Sequence, residues 1–169
     1  DFGLDGLSYA YQEGEGGIAA ALNMARPFVG DDKCVVILGD NIIADDISSS
    51  VREFAAVGGC YIFTKEVNDP ERFGVVEWNE EGVAVDLLEK PTKPPSKDAV
   101  IGLYMYDNDV FEKIETLIPS GRGELEVTDL NRSYLKDGRL GVHKIHGTWL
   151  DCGTFDSLAL ATKTFYEDE

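Results

Sequence analysis

The sequence predicts an α/β domain, a three-layer αβα arrangement around a mostly parallel, mixed sheet with one inserted β-hairpin. Three observations carry this prediction. Short apolar runs at 35–38, 60–64 and 99–106 are bounded by turn residues, which is how strands buried on both faces read. Stretches with helical spacing lie between them, so strands and helices alternate. Two β-rich segments, 75–78 and 83–89, flank the turn Asn79-Glu80-Glu81-Gly82 and read as a hairpin.

Taken in order, 7–12 alternates loosely (Leu7, Tyr9, Tyr11) and reads as a strand. Gln12-Glu13-Gly14-Glu15-Gly16-Gly17 follows as a loop whose backbone can approach a ligand closely. Residues 18–28 read as a helix ended by Pro27, and 35–38 as the next strand, running into Gly39-Asp40-Asn41. Together these make a βαβ unit, expected to be right-handed. A helix over 45–56 stops at Gly58-Gly59 before the strand at 60–64. Pro70 keeps 67–72 in a loop, and Glu89-Lys90-Pro91 closes the hairpin. After the strand at 99–106, Asp107 or Asn108 caps a helix over 110–117. A helix over 124–135 stops at Lys136-Asp137-Gly138, a strand covers 140–145, and a last helix covers 154–165. Residues 1–169 read as one domain whose sheet lacks N-terminal strands, since the chain opens directly into an apparent inner strand.

Hydrophobic residues make up 43% of the chain and charged residues 28%, an ordinary globular composition. The formal net charge of −17 argues against a nucleic-acid polymer or an anionic membrane as partner. A nucleotide remains possible where a divalent cation screens its phosphates. A high-salt host or a missing basic segment would each account for the imbalance, and the sequence does not separate the two. No apolar run reaches the length of a membrane span, no secretory signal is visible, and Cys34, Cys60 and Cys152 show no C-x-x-C spacing. Reduced thiols in the cytoplasm are the simplest account. His143 and His146 sit three apart in an apparent strand, which points them to opposite faces and argues against a shared metal.

In open α/β sheets, ligands sit beyond the carboxyl ends of the strands. Asp40 lies at such an end, and a second apolar-to-acidic step occurs at Thr148-Trp149-Leu150-Asp151. We expect Asp40 and Asp151 to converge on one metal ion; taken singly, each also fits as the cap of a turn or helix. The glycine cluster is not a G-x-x-x-x-G-K-[ST] phosphate loop, and Glu13 and Glu15 would repel pyrophosphate, so it suits a base or sugar.

Six segments, in this order, resemble the sugar nucleotidyltransferases, and within them the glucose-1-phosphate thymidylyltransferase family. They are Val36-Ile37-Leu38-Gly39-Asp40-Asn41-Ile42, Asp69-Pro70-Glu71-Arg72-Phe73-Gly74-Val75, Glu89-Lys90-Pro91, Gly102-Leu103-Tyr104-Met105-Tyr106-Asp107, Arg122-Gly123-Glu124-Leu125-Glu126-Val127-Thr128-Asp129 and Trp149-Leu150-Asp151-Cys152-Gly153-Thr154. The resemblance implies a Rossmann-like nucleotidyltransferase sheet. It implies transfer of a nucleotidyl group from dTTP to glucose-1-phosphate, giving dTDP-glucose and pyrophosphate. Asp40 and Asp151 would hold Mg²⁺, Lys90 would be a point charge on the sugar phosphate, and Glu89 would accept bonds from sugar hydroxyls. Gln12 would read the edge of thymine or uracil, helped by the Gly17 backbone. Gly74 and Val100 would be backbone contacts to the sugar, and Tyr104 a neighbour of the phosphates. Without the resemblance, Glu89-Lys90 reads as an exposed ion pair and Tyr104 as a core aromatic.

The family's N-terminal Gly-rich loop, with its Arg and following Lys, is missing, so the chain is expected to be a fragment with little or no activity alone. Ordinary pyrophosphate release from dTTP and glucose-1-phosphate would overturn that expectation. Phe73 stands where Tyr is usual, and Cys152 where Thr or Ala is usual. A UTP- or CTP-using relative and a non-catalytic nucleotide-sugar-binding module remain alternatives. A homo-oligomer is implied by resemblance alone, and an unpaired sheet border would favour one.

Overall fold

The structure is a computed structural model that describes residues 6–166. Among the described residues six helices and eight strands follow one another as α1 (Ile18–Asn23), α2 (Arg26–Val29), β1 (Cys34–Ile37), β2 (Asn41–Ala44), α3 (Ser48–Val57), β3 (Cys60–Glu66), β4 (Gly74–Trp78), β5 (Ala84–Glu89), β6 (Asp98–Tyr106), α4 (Val110–Glu115), α5 (Val127–Lys136), β7 (Leu140–Lys144), β8 (Thr148–Asp151) and α6 (Phe155–Tyr166). A short 3₁₀ turn, Pro70–Arg72, precedes β4.

The main sheet is mixed. Its strands run in the order β5-β4-β6-β3-β7, and β1 pairs with β6 on the β4 side. Antiparallel pairs dominate, contrary to the mostly parallel sheet expected; among the described strands only β3 and β7 are parallel. The cause lies in the connections. The turn at 79–82 folds β5 back antiparallel on β4, and β6 joins the other edge of β4, running with β5 and against β4. The long β6 thus lies antiparallel between β3 and the pair β1/β4.

Side chains alternate across this sheet, so each face has its own core. On one face Cys60, Ile62, Tyr104 and Tyr106 pack against Ala19 and Leu22 of α1, Val110, Phe111 and Ile114 of α4, and Leu130 and Tyr134 of α5. On the other, Tyr61, Phe63, Ile101, Leu103 and Met105 pack against Phe54 of α3, with Ile43 of β2 and Trp149 of β8. One covering layer is thus helical and the other is α3 plus the two-stranded β2–β8 ribbon. Each such buried aliphatic or aromatic side chain contributes about 1.5–3 kcal/mol.

Other expectations need correction. Residues 7–12 form no strand: Leu7, Tyr9 and Tyr11 are 63%, 88% and 84% exposed, and no described strand pairs with them. Alternation without a partner edge does not make a strand, and the βαβ unit goes with it. The helix expected over 18–28 breaks into α1 and α2, with Pro27 inside the first turn of α2, where its missing N–H costs nothing. The strand at 35–38 is not buried on both faces. Val35 and Ile37 are 47% and 59% exposed on one face, while Cys34 and Val36 on the other pack against the helical core. α3 starts at Ser48, whose N–H is accepted by the Asp46 carboxylate at 2.8 Å. Neither Asp107 nor Asn108 caps α4 with its side chain; Asp107 accepts from the Gly59 N–H and from Arg139 instead. α5 starts at Val127, since Leu125 is drawn to the glycine loop (N–H to Gly16 O, 2.9 Å) and Glu126 to Arg122. His143 stacks on Tyr61 with ring centroids 4.4 Å apart, while β7 has ended before the exposed His146. The three cysteines are free: Cys60 is buried, and burial pushes the half-buried Cys34 thiol up to about 11.

Candidate active site

Asp40 and Asp151 belong to segments 111 residues apart, and the β2–β8 ribbon brings them together. Its register places Asn41 opposite Asp151, and the Cys152 N–H closes the end by donating to the Asp40 backbone oxygen at 2.7 Å. Gly153 measures the gap between the carboxylates. A Cβ there would stand 3.1 Å from Asp151 Oδ1 and 3.3 Å from Asp40 Oδ2, so both acids face one small space. The Gly153 N–H donates to Asp151 Oδ1 at 3.0 Å, and the Asn41 amide donates to Asp40 Oδ1 at 2.8 Å.

This pair opens into a cleft of about 570 Å³, whose lining includes Gly74, Glu89, Lys90, Val100 and Tyr104. Gly74 sits opposite Glu89 in the β4–β5 pair. Glu89 Oε2 accepts from Thr128 Oγ1 at 2.6 Å, at the start of α5. Its Oε1 lies 3.5 Å from Arg122 and 3.8 Å from the Lys90 ammonium. Lys90 has φ 42°, the left-handed region, and is the one non-glycine there among the described residues. Its N–H is meanwhile held by Phe73 O at 3.0 Å. Such backbone strain is typical of functional sites. Tyr104 is buried on β6; burial raises its pKa, reinforced by Glu89, Cys60 and Asp40, and keeps the phenol protonated.

Gln12 and Gly17 lie outside this cleft. They line an adjoining cavity of about 1060 Å³ along β1, and Ile18 and Leu38 border both spaces. Gln12 Nε2 donates to Gly17 O at 3.4 Å. Gly17 has φ 85°, and a Cβ there would meet Leu125 O at 2.7 Å, so glycine is required where the loop docks on the segment before α5.

Sequence reasoning gave no role to Arg122, Thr128, Arg72 or Asn41. Arg122 lies among Glu89, Glu124 and Glu126, and bonding to Glu126 holds its pKa above the ordinary value. A nearly buried acid such as Glu126 needs a partner, and an Arg four residues earlier was the available signal. Arg72 lines the cleft and bonds Asp69 at 2.7 Å; that bond leads in raising its pKa, with Asp151 adding to it.

No group of three or more His, Cys, Asp or Glu side chains among the described residues forms a closed metal cage. Two converging carboxylates beside an open cleft instead fit Mg²⁺, which binds through one or two carboxylates and completes its shell with phosphates and water. Among the described helices none is long and apolar enough to cross a membrane.

Comparison with known proteins identifies the family and the fold. A family model described as nucleotidyl transferase matches residues 5–168. A glucose-1-phosphate thymidylyltransferase of Neisseria meningitidis is 46% identical over 162 residues, covering 94% of this chain and 56% of that protein. One of Mycobacterium tuberculosis is 45% identical over 155 residues, covering 90% and 54%. The chain thus spans about half the length of the curated relatives it matches. A crystal structure described as a glucose-1-phosphate thymidylyltransferase from Bacillus anthracis, in complex with sucrose, superposes with TM-score 0.86 at 46% identity, covering 93% of this chain and 64% of that one. A UDP-glucose pyrophosphorylase complexed with UDP-glucose superposes with TM-score 0.84 at 28% identity, covering 96% and 66%. The fold, the family model and these relatives agree: the chain belongs to the nucleotidyl transferase family.

Proposed function

We propose that this site serves nucleotidyl transfer from dTTP to glucose-1-phosphate, giving dTDP-glucose and pyrophosphate. The observation that carries the reading is the pair Asp40 and Asp151, facing one space within the cleft that also holds Glu89 and Lys90. A phosphate oxygen of the sugar phosphate attacks the α-phosphorus, and the bond from that phosphorus to the oxygen bridging to the β-phosphate breaks. Such a step depends on positioning and charge neutralisation rather than on covalent help from the protein.

Asp40 and Asp151 would hold Mg²⁺, which when bound neutralises phosphate charge. Lys90 places a positive charge beside the sugar phosphate. Glu89, held by Thr128, accepts from sugar hydroxyls. Gly74 and Val100 offer backbone groups to the sugar, and the protonated Tyr104 phenol stands near the phosphates. Gln12 presents one donor and one acceptor to the pyrimidine edge in the adjoining cavity, beside the Gly17 backbone. The same reading carries a cytoplasmic homo-oligomer.

The likeness to a UDP-glucose pyrophosphorylase supports UTP as the second reading. Calorimetric competition of dTTP, UTP and CTP in Mg²⁺ separates the two. We expect dTTP to bind most tightly, and Asp40→Asn or Asp151→Asn each to remove the Mg²⁺ dependence of binding. A preference for CTP, or binding indifferent to both substitutions, overturns the proposal.

A further inference from the structure

We propose that Trp149 is a positioning residue that aims Asp40, acting through the side chain of Asn41. This rests on the reading of Asp40 and Asp151 as cation ligands, and it adds what sets their orientation.

A free carboxylate at the end of a short strand can turn either oxygen toward a ligand. Asp40 does not have that freedom. Its Oδ1 accepts from Asn41 Nδ2 at 2.8 Å, which leaves Oδ2 on the side of Asp151. The Asn41 amide is itself fixed. Its Oδ1 accepts from the Gly102 N–H at 3.0 Å and from the Trp149 indole N–H at 2.7 Å. Two donors fill the lone pairs of an amide oxygen, and turning the amide over would set its NH₂ against both of them. The NH₂ is therefore committed to Asp40.

The surroundings give this amide no room to turn. A Cβ on Gly102 would lie 2.7 Å from Asn41 Nδ2, so β6 passes directly beneath it. Trp149 stands opposite Ile43 in the ribbon and packs edge-on against Phe73 with centroids 5.5 Å apart. The strand that carries Asp151 thus also carries the indole that orients Asp40 just before the other strand, coupling the two ligands across the ribbon. Groups of this kind, one shell out from the ligands, typically change metal affinity by roughly 10–100-fold when removed.

The test measures Mn²⁺ affinity of the 169-residue chain by calorimetry and by electron paramagnetic resonance of the bound ion, with thermal unfolding in parallel. The variants are Trp149→Phe, Asn41→Ala, the double variant, and Asp151→Asn as control. Trp149→Phe removes the donor together with one ring of the indole and leaves an aromatic ring beside Phe73. We expect it to weaken Mn²⁺ binding about tenfold, and to add nothing further in the Asn41→Ala background. If Trp149→Phe does not fold, benzothienylalanine at the same position keeps the ring shape without the N–H. Unchanged Mn²⁺ affinity, or an equal loss with and without Asn41, overturns this inference and leaves the carboxylate reading intact. Absence of any Mn²⁺ uptake sensitive to Asp151→Asn overturns the carboxylate reading, and this inference with it.

Discussion

Thr128→Val exchanges one hydroxyl for a methyl group and changes almost nothing else. The two side chains are nearly the same shape, and Thr128 is 5% exposed, so packing is retained. What is lost is the 2.6 Å bond from Thr128 Oγ1 to Glu89 Oε2. Bonds to a charged acceptor contribute about 1.5–3 kcal/mol, and because the Glu89 side chain is 27% exposed, water compensates in part, which points to the lower end. Arg122 does not take over: it lies 3.5 Å from the other oxygen, outside the range of a strong charge-assisted bond. The expected loss is about 1.5 kcal/mol, or roughly 3–6 °C in Tm for a chain of this length. Urea unfolding reads it as a lower midpoint with unchanged slope. Glucose-1-phosphate, titrated by calorimetry, should bind more weakly because Glu89 is no longer held. Thr128→Ser keeps the donor and should retain that affinity despite losing a methyl group. A Val variant as stable as the parent, or a Ser variant that loses as much affinity as Val, refutes the reasoning.

Three further substitutions test other parts of the site and fold. Lys90→Gly relieves the left-handed backbone at φ 42° and should be about 1 kcal/mol more stable than Lys90→Ala, while both lose glucose-1-phosphate affinity; denaturant unfolding and calorimetry check the two effects separately. Gly17→Ala forces a side chain into a left-handed position against Leu125 O and should cost about 1–3 kcal/mol, read as faster proteolysis of the loop around Gly14 and weaker dTTP binding. Burial lowers the pKa of His143, so the fold prefers its neutral form. On acidification the unfolded chain takes the proton first, near 6.5, so the contribution is full above that pH and is lost as the pH falls through the lowered folded value. Urea midpoints between pH 7.5 and 5 should therefore drop less in His143→Gln than in the parent; an identical drop in both would show that burial does not bias the titration.

Local signals carried the secondary structure wherever one segment settles its own conformation. The apolar run at 99–106, the turn Asn79-Glu80-Glu81-Gly82 and the stop at Asp137-Gly138 all lie where the residues indicate. Strand direction is not a local property. The apolar pattern of β6 reads the same for either direction, and its antiparallel sense is set by pairing with β3 on one edge and with β1 and β4 on the other. The alternation at 7–12 has a strand pattern without a partner edge among the described residues, which no periodicity reveals.

The site divides in the same way. Asp40 and Asp151 stand out because an acid at the end of an apolar run is costly unless something uses it. Glu89-Lys90 stands out as an ion pair where a hairpin closes. Asn41, Thr128 and Trp149 do not: an amide beginning a four-residue strand, a hydroxyl in the first turn of a helix and an indole in the core each have an ordinary local explanation. Their roles appear only once β2 lies against β8 and α5 against β5, because each spends its hydrogen bond on another side chain of the site: Trp149 on Asn41, Asn41 on Asp40, and Thr128 on Glu89. A residue that serves a ligand leaves a chemical mark in the sequence, whereas one that serves another residue leaves it only in the distance between them.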